Sequence, residues 1–303
     1  MSRNSRLVAQ NKRCPWFLRC VPRAFVATIV TLPCALPGTT KADDRRYAVV
    51  ARVNAKSERL TLEEVVVTVG SASVPAKAIK ASPEISRNIA IVVDAGPDQS
   101  KVLSREKDLA VALINELADG NTRFTIASAG ISSKTQATTT DPSVASSDVR
   151  DISEDKGEKR NVPIYDAIGS VIRQISLTSD LRVIIFIGEG NDGGSKLGYA
   201  DVLNLAESNQ IAFCAALVAD HSLRGTKSIL RYGWNLREFV GDTAGIFLEN
   251  PKTQNATRRL SESVRRLRLI IFEIPFHRSG RYKISVSSLR GKRLSAQKNI
   301  LIP

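Results

Sequence analysis

The feature that most constrains this chain is a continuous apolar run that ends in a carboxylate, Asn88–Asp94. A strand that is apolar on both faces is typical of a buried parallel sheet, because helices cover both sides of such a sheet. Similar runs occur at Leu181–Ile187 and Ile211–Leu217. Segments with helical spacing separate them, such as Leu109–Leu117 and Ile164–Ile175. This alternation predicts an α/β fold in which right-handed βαβ units build a doubly wound, mostly parallel sheet.

Both ends of the chain that follows the leader have β character instead. Tyr47–Val53 and Val65–Val69 are rich in β-branched residues, and Tyr282–Val286 and Ile300–Ile302 repeat the pattern near the C-terminus. We expect these end strands to pair with each other in a small β subdomain. The predicted organisation is a signal peptide at 1–42, an N-terminal β element at 43–86, a Rossmann-like α/β domain at 87–272 and a C-terminal β element at 273–303.

Two segments between these elements are less regular. Residues 132–160 are polar and have no periodic apolar pattern, so we predict a long loop with at most a short edge strand. Apolar residues at helical spacing predict a last helix over 257–271. The face opposite its apolar stripe carries Arg258, Arg259, Arg265, Arg266 and Arg268. We interpret that face as solvated, with an anionic envelope surface as the alternative partner, and we expect no nucleic acid.

The first 42 residues have the layout of a secretory signal peptide. They contain seven Lys or Arg and no Asp or Glu, and the apolar run Ala24–Leu32 follows the last of the arginines. Pro33 and Gly38 break that run, and Ala42 ends a small-residue cleavage site. The run is shorter than the roughly 20 residues that a membrane-spanning helix needs. We expect a secreted or periplasmic protein, with an uncleaved membrane anchor as the alternative.

Removal of this leader changes both the charge and the cysteine content. The formal net charge falls from +14 to +7, because seven positive residues leave. Of the four cysteines only Cys214 remains, inside an apolar run. A lone cysteine in such a run is typical of a buried small hydrophobe and not of a catalytic thiol. His221 and His277 lie apart from any Ser or Cys nucleophile motif, so we identify no catalytic residue of that kind.

Acidic loops follow two of the predicted buried strands, at Asp94–Ser100 and Gly188–Asp192. In an open parallel sheet, ligands bind at the carboxyl ends of the strands where the strand order reverses. Carboxylates at that edge suit a hard divalent cation such as Mg²⁺. The candidate metal ligands are Asp94, Asp98 and Glu189. The candidate partner-binding residues are Asp94, Asp98, Ser100, Glu189, Asn191 and Asp192.

Three segments in this order, Asp94–Ser100, Asn161–Ala167 and Gly188–Asp192, resemble those of a von Willebrand factor type A (VWFA) domain. The stretch Leu60–Gly70 is similar to one in the acidobacterial VWFA-related proteins. Those proteins also share a leader, a Tyr-Asp-Ala opening of the third helix, here at 165–167, and a β tail. The similarity covers nearly all of the chain after the leader. It implies a VWFA-type fold and a protein-binding role.

The resemblance also implies a metal-ion-dependent adhesion site at definite positions. In the family this site combines an Asp-x-Ser-x-Ser motif, a Thr before the third helix and an Asp after the fourth strand. Here the first Asp matches Asp94, whereas the two serines fall on Gly96 and Asp98. The Thr falls on Val162 and the last Asp on Glu189. Because Gly96 and Val162 have no side-chain oxygen, we predict a degenerate site without a cofactor, and Mg²⁺ or another divalent cation is the alternative.

Three functional hypotheses follow. The first is an exported, non-enzymatic binding module of adhesion or scaffold type, which meets a protein partner without a metal. The second is a metal-dependent module in which Mg²⁺ binds a partner carboxylate. The third is a hydrolase that uses Asp94 and Glu189 as acid and base, which requires a deep apolar cleft beside Asp94 and raised carboxyl pKa values.

Overall fold

A computed structural model describes residues 46–53, 60–81, 83–97, 100–156, 162–178, 180–218, 227–274, 279–288 and 294–302 of the chain. For residues 100–101 and 227–234 it describes the backbone. The predicted leader, Asp98, His221 and His277 lie outside these ranges. No helix in the described ranges combines the length and the apolar character needed to cross a membrane.

The described residues form thirteen strands and six α-helices. In chain order, the strands are β1 (Arg46–Arg52), β2 (Val65–Val69), β3 (Ala72–Lys80), β4 (Arg87–Asp94), β5 (Thr122–Ala129), β6 (Lys134–Thr135), β7 (Leu181–Gly188), β8 (Ala212–Leu217), β9 (Phe247–Glu249), β10 (Leu267–Glu273), β11 (Gly280–Ser288), β12 (Ser295–Ala296) and β13 (Asn299–Ile302). The helices are α1 (Ser100–Leu117), α2 (Pro142–Arg150), α3 (Ile164–Ile175), α4 (Tyr199–Ser208), α5 (Lys227–Asp242) and α6 (Thr253–Arg265).

The six-stranded sheet has the order β6-β5-β4-β7-β8-β9 and is parallel except for β6. Its strand order reverses at β4, because β5 lies on one side of β4 and β7 lies on the other. All eight residues of β4 are buried, as the apolar run predicted. The carboxyl ends of β4 and β7 therefore form the switch point at which ligands bind in open α/β sheets.

Helices cover both faces of this sheet. Ile89, Ile91 and Val93 of β4 pack with residues of α1, α2 and α6, whereas the alternate residues Ala90 and Val92 pack with residues of α3, α4 and α5. This alternation follows from the two-residue period of a strand, which sends successive side chains to opposite faces. The predicted fold class, an α/β domain with a doubly wound, mostly parallel sheet, is confirmed.

The second sheet has seven strands in the order β12-β1-β10-β3-β2-β11-β13, and all of its neighbouring strands are antiparallel. It combines strands that precede β4 with strands that follow α6. Val49 and Ala51 of β1 lie in the core of this sheet, and Val50 lies in the core of the α/β domain. A buried carboxylate also joins the two parts, since Glu207 of α4 pairs with Arg281 of β11 at 2.7 Å.

Two sequence-based assignments were wrong. The last helix ends at Arg265, and residues 267–273 form β10, so the predicted boundary at 272 falls inside a strand of the other sheet. Ile270 and Phe272 alternate into the core of the second sheet, where pairing with β1 and β3 overrides the helical spacing. The polar stretch contains the predicted short edge strand, β6, but it also contains α2, whose first turn is capped by Asp141 through the backbone N–H of Ser143 at 2.7 Å.

Candidate functional site

The carboxylate of Asp94 lies at the switch point and joins the two loops that follow β4 and β7. Its Oδ1 accepts a hydrogen bond from the backbone N–H of Gly96 at 3.1 Å, and its Oδ2 accepts one from Gly190 at 3.4 Å. Gly190 has a φ of 71°, which a glycine adopts without strain. Asp94 is 2% exposed. Burial raises the pKa of this carboxyl to about 6, although backbone hydrogen bonds from Gly96, Gly190 and Glu189 oppose the rise.

Glu106 of α1 is a further acidic side chain near Asp94 and Glu189, and it was not identified from the sequence. Glu106 is fully buried, and within the described part of the chain neither of its carboxyl oxygens has a hydrogen-bond partner. Burial raises its pKa well above the usual range, and the nearby charges of Asp94 and Glu189 add to the rise. A sequence signal does exist, because Glu106 occupies a position of the apolar stripe that Val102 and Leu109 continue.

The loop after β7 is braced against the start of α3. The side chain of Asp192 accepts a hydrogen bond from the backbone N–H of Tyr165 at 3.1 Å, and Ser195 accepts one from Asp166 at 3.2 Å. In return, the carboxylate of Asp166 accepts bonds from the backbone N–H groups of Lys196 and Leu197 at 3.0 and 2.9 Å. These bonds satisfy N–H groups in the first turn of α3, which have no partner inside the helix.

The loop after β5 contributes exposed side chains to the same edge. Ala129 is the register partner of Asp94, and Ile131 follows it with 40% of its surface exposed. Asp155 holds this loop, because its carboxylate accepts a hydrogen bond from Ser132 at 3.0 Å and its N–H donates to the carbonyl of Ala95 at 2.8 Å. A cavity of about 200 Å³ adjoins the loop and is lined by Ser132, Lys134, Asp148, Asp151 and Asp155, among others. Ile131 and Asp155 were not identified from the sequence.

This chain is similar to known proteins in its structure but not in its sequence. No protein-family model matches the sequence, and no curated protein matches it. Among solved structures, the von Willebrand factor type A protein from Catenulispora acidiphila is 10% identical, with 85% of this chain and 72% of that chain covered and a TM-score of 0.48. The conserved hypothetical protein BatB from Bacteroides thetaiotaomicron is 18% identical, with 59% and 97% covered and a TM-score of 0.45. The ArnB paralog VWA2 from Sulfolobus acidocaldarius is 10% identical, with 85% and 74% covered and a TM-score of 0.41.

The chain resembles von Willebrand factor type A domains. The expected resemblance to this fold is confirmed, and the assignment of the fold rests on the strand order and helix layers described above; the likeness to the acidobacterial VWFA-related proteins stays a prediction.

Within the described residues, the positions that would form a VWFA-type metal site offer few side-chain oxygens to a small cation, and Asp98 lies outside those residues. A Cβ atom added to Gly96 would lie 2.8 Å from Cγ2 of Val162, so a methyl group of Val162 lies where a side chain at position 96 would begin. Both oxygens of Asp94 already accept backbone hydrogen bonds. In the described ranges, no group of three or more His, Cys, Asp or Glu side chains is arranged to hold a metal ion. Magnesium prefers six oxygen ligands, and the described residues at these positions supply fewer than that from their side chains.

The structure places the sequence-predicted residues at two depths. Asp94 and Glu189 lie close together and are buried, at 2% and 7% exposure, and their predicted contact with a partner stays a prediction. Asn191 and Asp192 are half-buried at the edge. Asp98 and the side chain of Ser100 lie outside the described residues, and their predicted roles stay predictions.

Proposed function

We propose that this protein is a non-enzymatic protein-binding module, and that its binding surface is the rim formed by the loops after β4, β5 and β7. One observation carries the proposal: the buried carboxylate of Asp94 bonds to the backbone of two of these loops and fixes their shape from below. Loops held on a rigid sheet are the usual place for recognition residues. The rim offers the exposed Ile131 and the half-buried Asn191, and a cavity adjoins the loop after β5 at Ser132.

The proposed recognition is independent of a metal. Gly96 and Val162 stand where the family has two hydroxyl side chains and supply no side-chain oxygen, and the oxygens of Asp94 accept hydrogen bonds from backbone N–H groups. Affinity would come from the shape of the rim and from polar contacts at its loops. The expected partner is a protein of the cell envelope or the extracellular space, since the basic and apolar leader predicts export.

Hydrolysis is a weaker interpretation of the same carboxylates. Burial raises the pKa of Asp94 to about 6, which meets one requirement of an acid–base pair. The other requirement is contact with a substrate, and here the side chains of Asp94 and Glu189 are almost entirely buried. A general acid or base must come within hydrogen-bond reach of the reacting atoms. We therefore propose a structural role for this pair.

The rim is tested by exchanging one exposed apolar side chain. The full chain is immobilised and incubated with envelope extract, and captured proteins are cross-linked and identified by mass spectrometry. Ile131→Ser should reduce capture of a specific partner at least fivefold. Leu177→Ser is the matched control, because Leu177 is 85% exposed and lies after α3, toward the amino ends of the strands. Equal capture by Ile131→Ser and wild type, or equal loss in both variants, would contradict the proposed rim.

Calorimetry tests separately whether the protein binds a divalent metal ion at Asp94. The full chain is titrated with Mg²⁺, Mn²⁺ and Ca²⁺, and the same titrations are repeated with Asp94→Asn. We expect no saturable heat that depends on Asp94. Binding of any of the three ions that disappears in Asp94→Asn would establish the metal-dependent module instead.

A further inference from the structure

A basic groove lies on another part of the protein, between the end of β1 and the last two turns of α6. It has a volume of about 270 Å³, and its lining residues include Arg52, Arg259 and Arg266. Glu262 is the one acidic side chain among its lining residues. The basic groove therefore has an excess of positive charge at a concave surface, where a bound anion contacts several donors at once.

Two of these three arginines have no acidic partner in the described ranges. Glu262 pairs with Arg266 at 3.2 Å, whereas neither Arg52 nor Arg259 forms an ion pair with a described carboxylate. Arg52 is half-buried, and both burial and the positive charge of Arg266 lower its pKa. A guanidinium held in this way is destabilised until an anion approaches it, because burial removes water without supplying a counter-charge.

A hydrogen bond holds the side chain of Arg52 in the basic groove. The Nη1 atom of Arg52 donates to Oγ of Ser263 at 3.3 Å, which leaves the other N–H groups of its planar fork available. The C-terminal end of α6 adds partial negative charge nearby, but Arg268 donates to the carbonyls of Arg265 and Leu267 and satisfies that end. The fork geometry of arginine matches the oxygens of phosphate and sulfate groups.

We propose that the basic groove binds a tetrahedral oxyanion, a phosphate or sulfate group, between Arg52 and Arg259. The sequence suggested that the whole basic face of the last helix could attract an anionic surface. The proposed site limits anion binding to the basic groove. The other arginines of that face have different roles, since Arg265 pairs with Glu116 at 2.7 Å and Arg258 donates to Asn255 at 3.4 Å. The site is independent of the rim above Asp94, so either proposal can fail without the other.

Calorimetry with inorganic phosphate tests the site on the full chain, with sodium chloride of matched ionic strength as the blank. Wild type should bind one phosphate saturably, and Arg52→Gln and Arg259→Gln should each weaken binding by about tenfold, because each removes a charge-assisted hydrogen bond. Arg258→Gln is the matched control: it removes the same charge from the same helix outside the groove, and binding should change less than twofold. The absence of saturable binding by wild type, or equal weakening in all three variants, overturns the proposal.

Two further measurements keep the test decisive. Circular dichroism checks folding, and because Arg259 is exposed, Arg259→Gln remains informative if Arg52→Gln unfolds. A folded Arg259→Gln that binds phosphate like wild type overturns the site. Sedimentation with vesicles of phosphatidylglycerol and phosphatidylcholine identifies the source of the anion: sedimentation lost in Arg259→Gln and kept in Arg258→Gln supports a lipid headgroup, whereas phosphate binding without sedimentation supports a small free anion.

Discussion

Replacing Asp94 with asparagine should stabilise the protein at neutral pH and leave its stability almost unchanged in acid. Asparagine has the shape of the protonated carboxyl, with an NH₂ group where the acid has O–H. It therefore mimics the uncharged form of Asp94 at every pH. Wild type adopts that form in the fold only below a pH of about 6, because burial raises the pKa of this carboxyl from its ordinary value of 3.8.

The magnitude follows from this rise of about 2 in pKa. A raised carboxyl pKa means that the fold favours the protonated form, so its contribution to stability is full below a pH of about 4 and is lost as the pH rises to about 6. At about 1.4 kcal/mol for each pH unit, the loss is about 3 kcal/mol. Asp94→Asn should therefore match wild type within about 1 kcal/mol at pH 4 and exceed it by about 3 kcal/mol at pH 7.5.

The assay is urea unfolding followed by far-ultraviolet circular dichroism between pH 4 and pH 7.5, with a chelator present. Asp108→Asn is the control, because Asp108 is an exposed residue of α1 and its replacement reports the effect of losing a surface charge. A variant that is less stable than wild type at pH 7.5 would refute the reasoning. That result would mean that an uncounted positive group compensates the charge of Asp94, and a wild type that is more stable when the chelator is omitted would identify the group as a metal.

Three other changes test the structure around this edge. Glu106→Gln should raise the free energy of unfolding at pH 7.5, with a gain that shrinks as the pH falls toward 4, because burial raises the pKa of Glu106; urea unfolding at both pH values measures this. Gly96→Ala should destabilise the protein by roughly 1–3 kcal/mol through contact with Val162, and adding Val162→Ala should recover part of the loss in a double-mutant cycle. Arg281→Ala should lower the free energy of unfolding by about 1–2 kcal/mol at neutral pH, because it leaves the buried carboxylate of Glu207 without its charged partner. The loss is modest because Arg281 is partly exposed, and urea unfolding should show a smaller loss at pH 5 than at pH 7.5.

The α/β core was predictable because its signals are local and strong. Asn88–Asp94 is apolar on both faces, and a strand of that kind needs helices on both sides wherever it lies in a fold. The segment 267–273 was misassigned for the opposite reason. Its apolar residues satisfy helical spacing and strand alternation equally, and the decision comes from β1 and β3, which lie far away in the sequence. Sequence periodicity contains no information about such partners.

The sequence predicted where the candidate site lies, but it did not predict how deeply the carboxylates of the site are buried. The end of β4 follows from the order of the strands, and Asp94 does lie at the switch point. Its burial depends on what covers it, including the start of the loop after β4 and the loop after β7. Glu106 and Asp155 were missed because each reaches the edge from an element that the carboxyl-end rule does not include. A glutamate within the apolar stripe of α1 is the signal that would have identified the first of them.

The acids below the rim make stability and recognition oppose each other. At neutral pH the charge of Asp94 destabilises the fold, and an amide in its place would remove that cost. The asparagine side chain, however, has one oxygen, which can accept the hydrogen bond from either Gly96 or Gly190. The NH₂ group of the asparagine then faces the other backbone N–H, which loses its acceptor. One loop would then lose its anchor while the global fold becomes more stable. If the rim binds a partner through the shape of its loops, Asp94→Asn should bind that partner more weakly at pH 7.5 although it resists urea better, and equal binding would show that the loops keep their shape without the carboxylate.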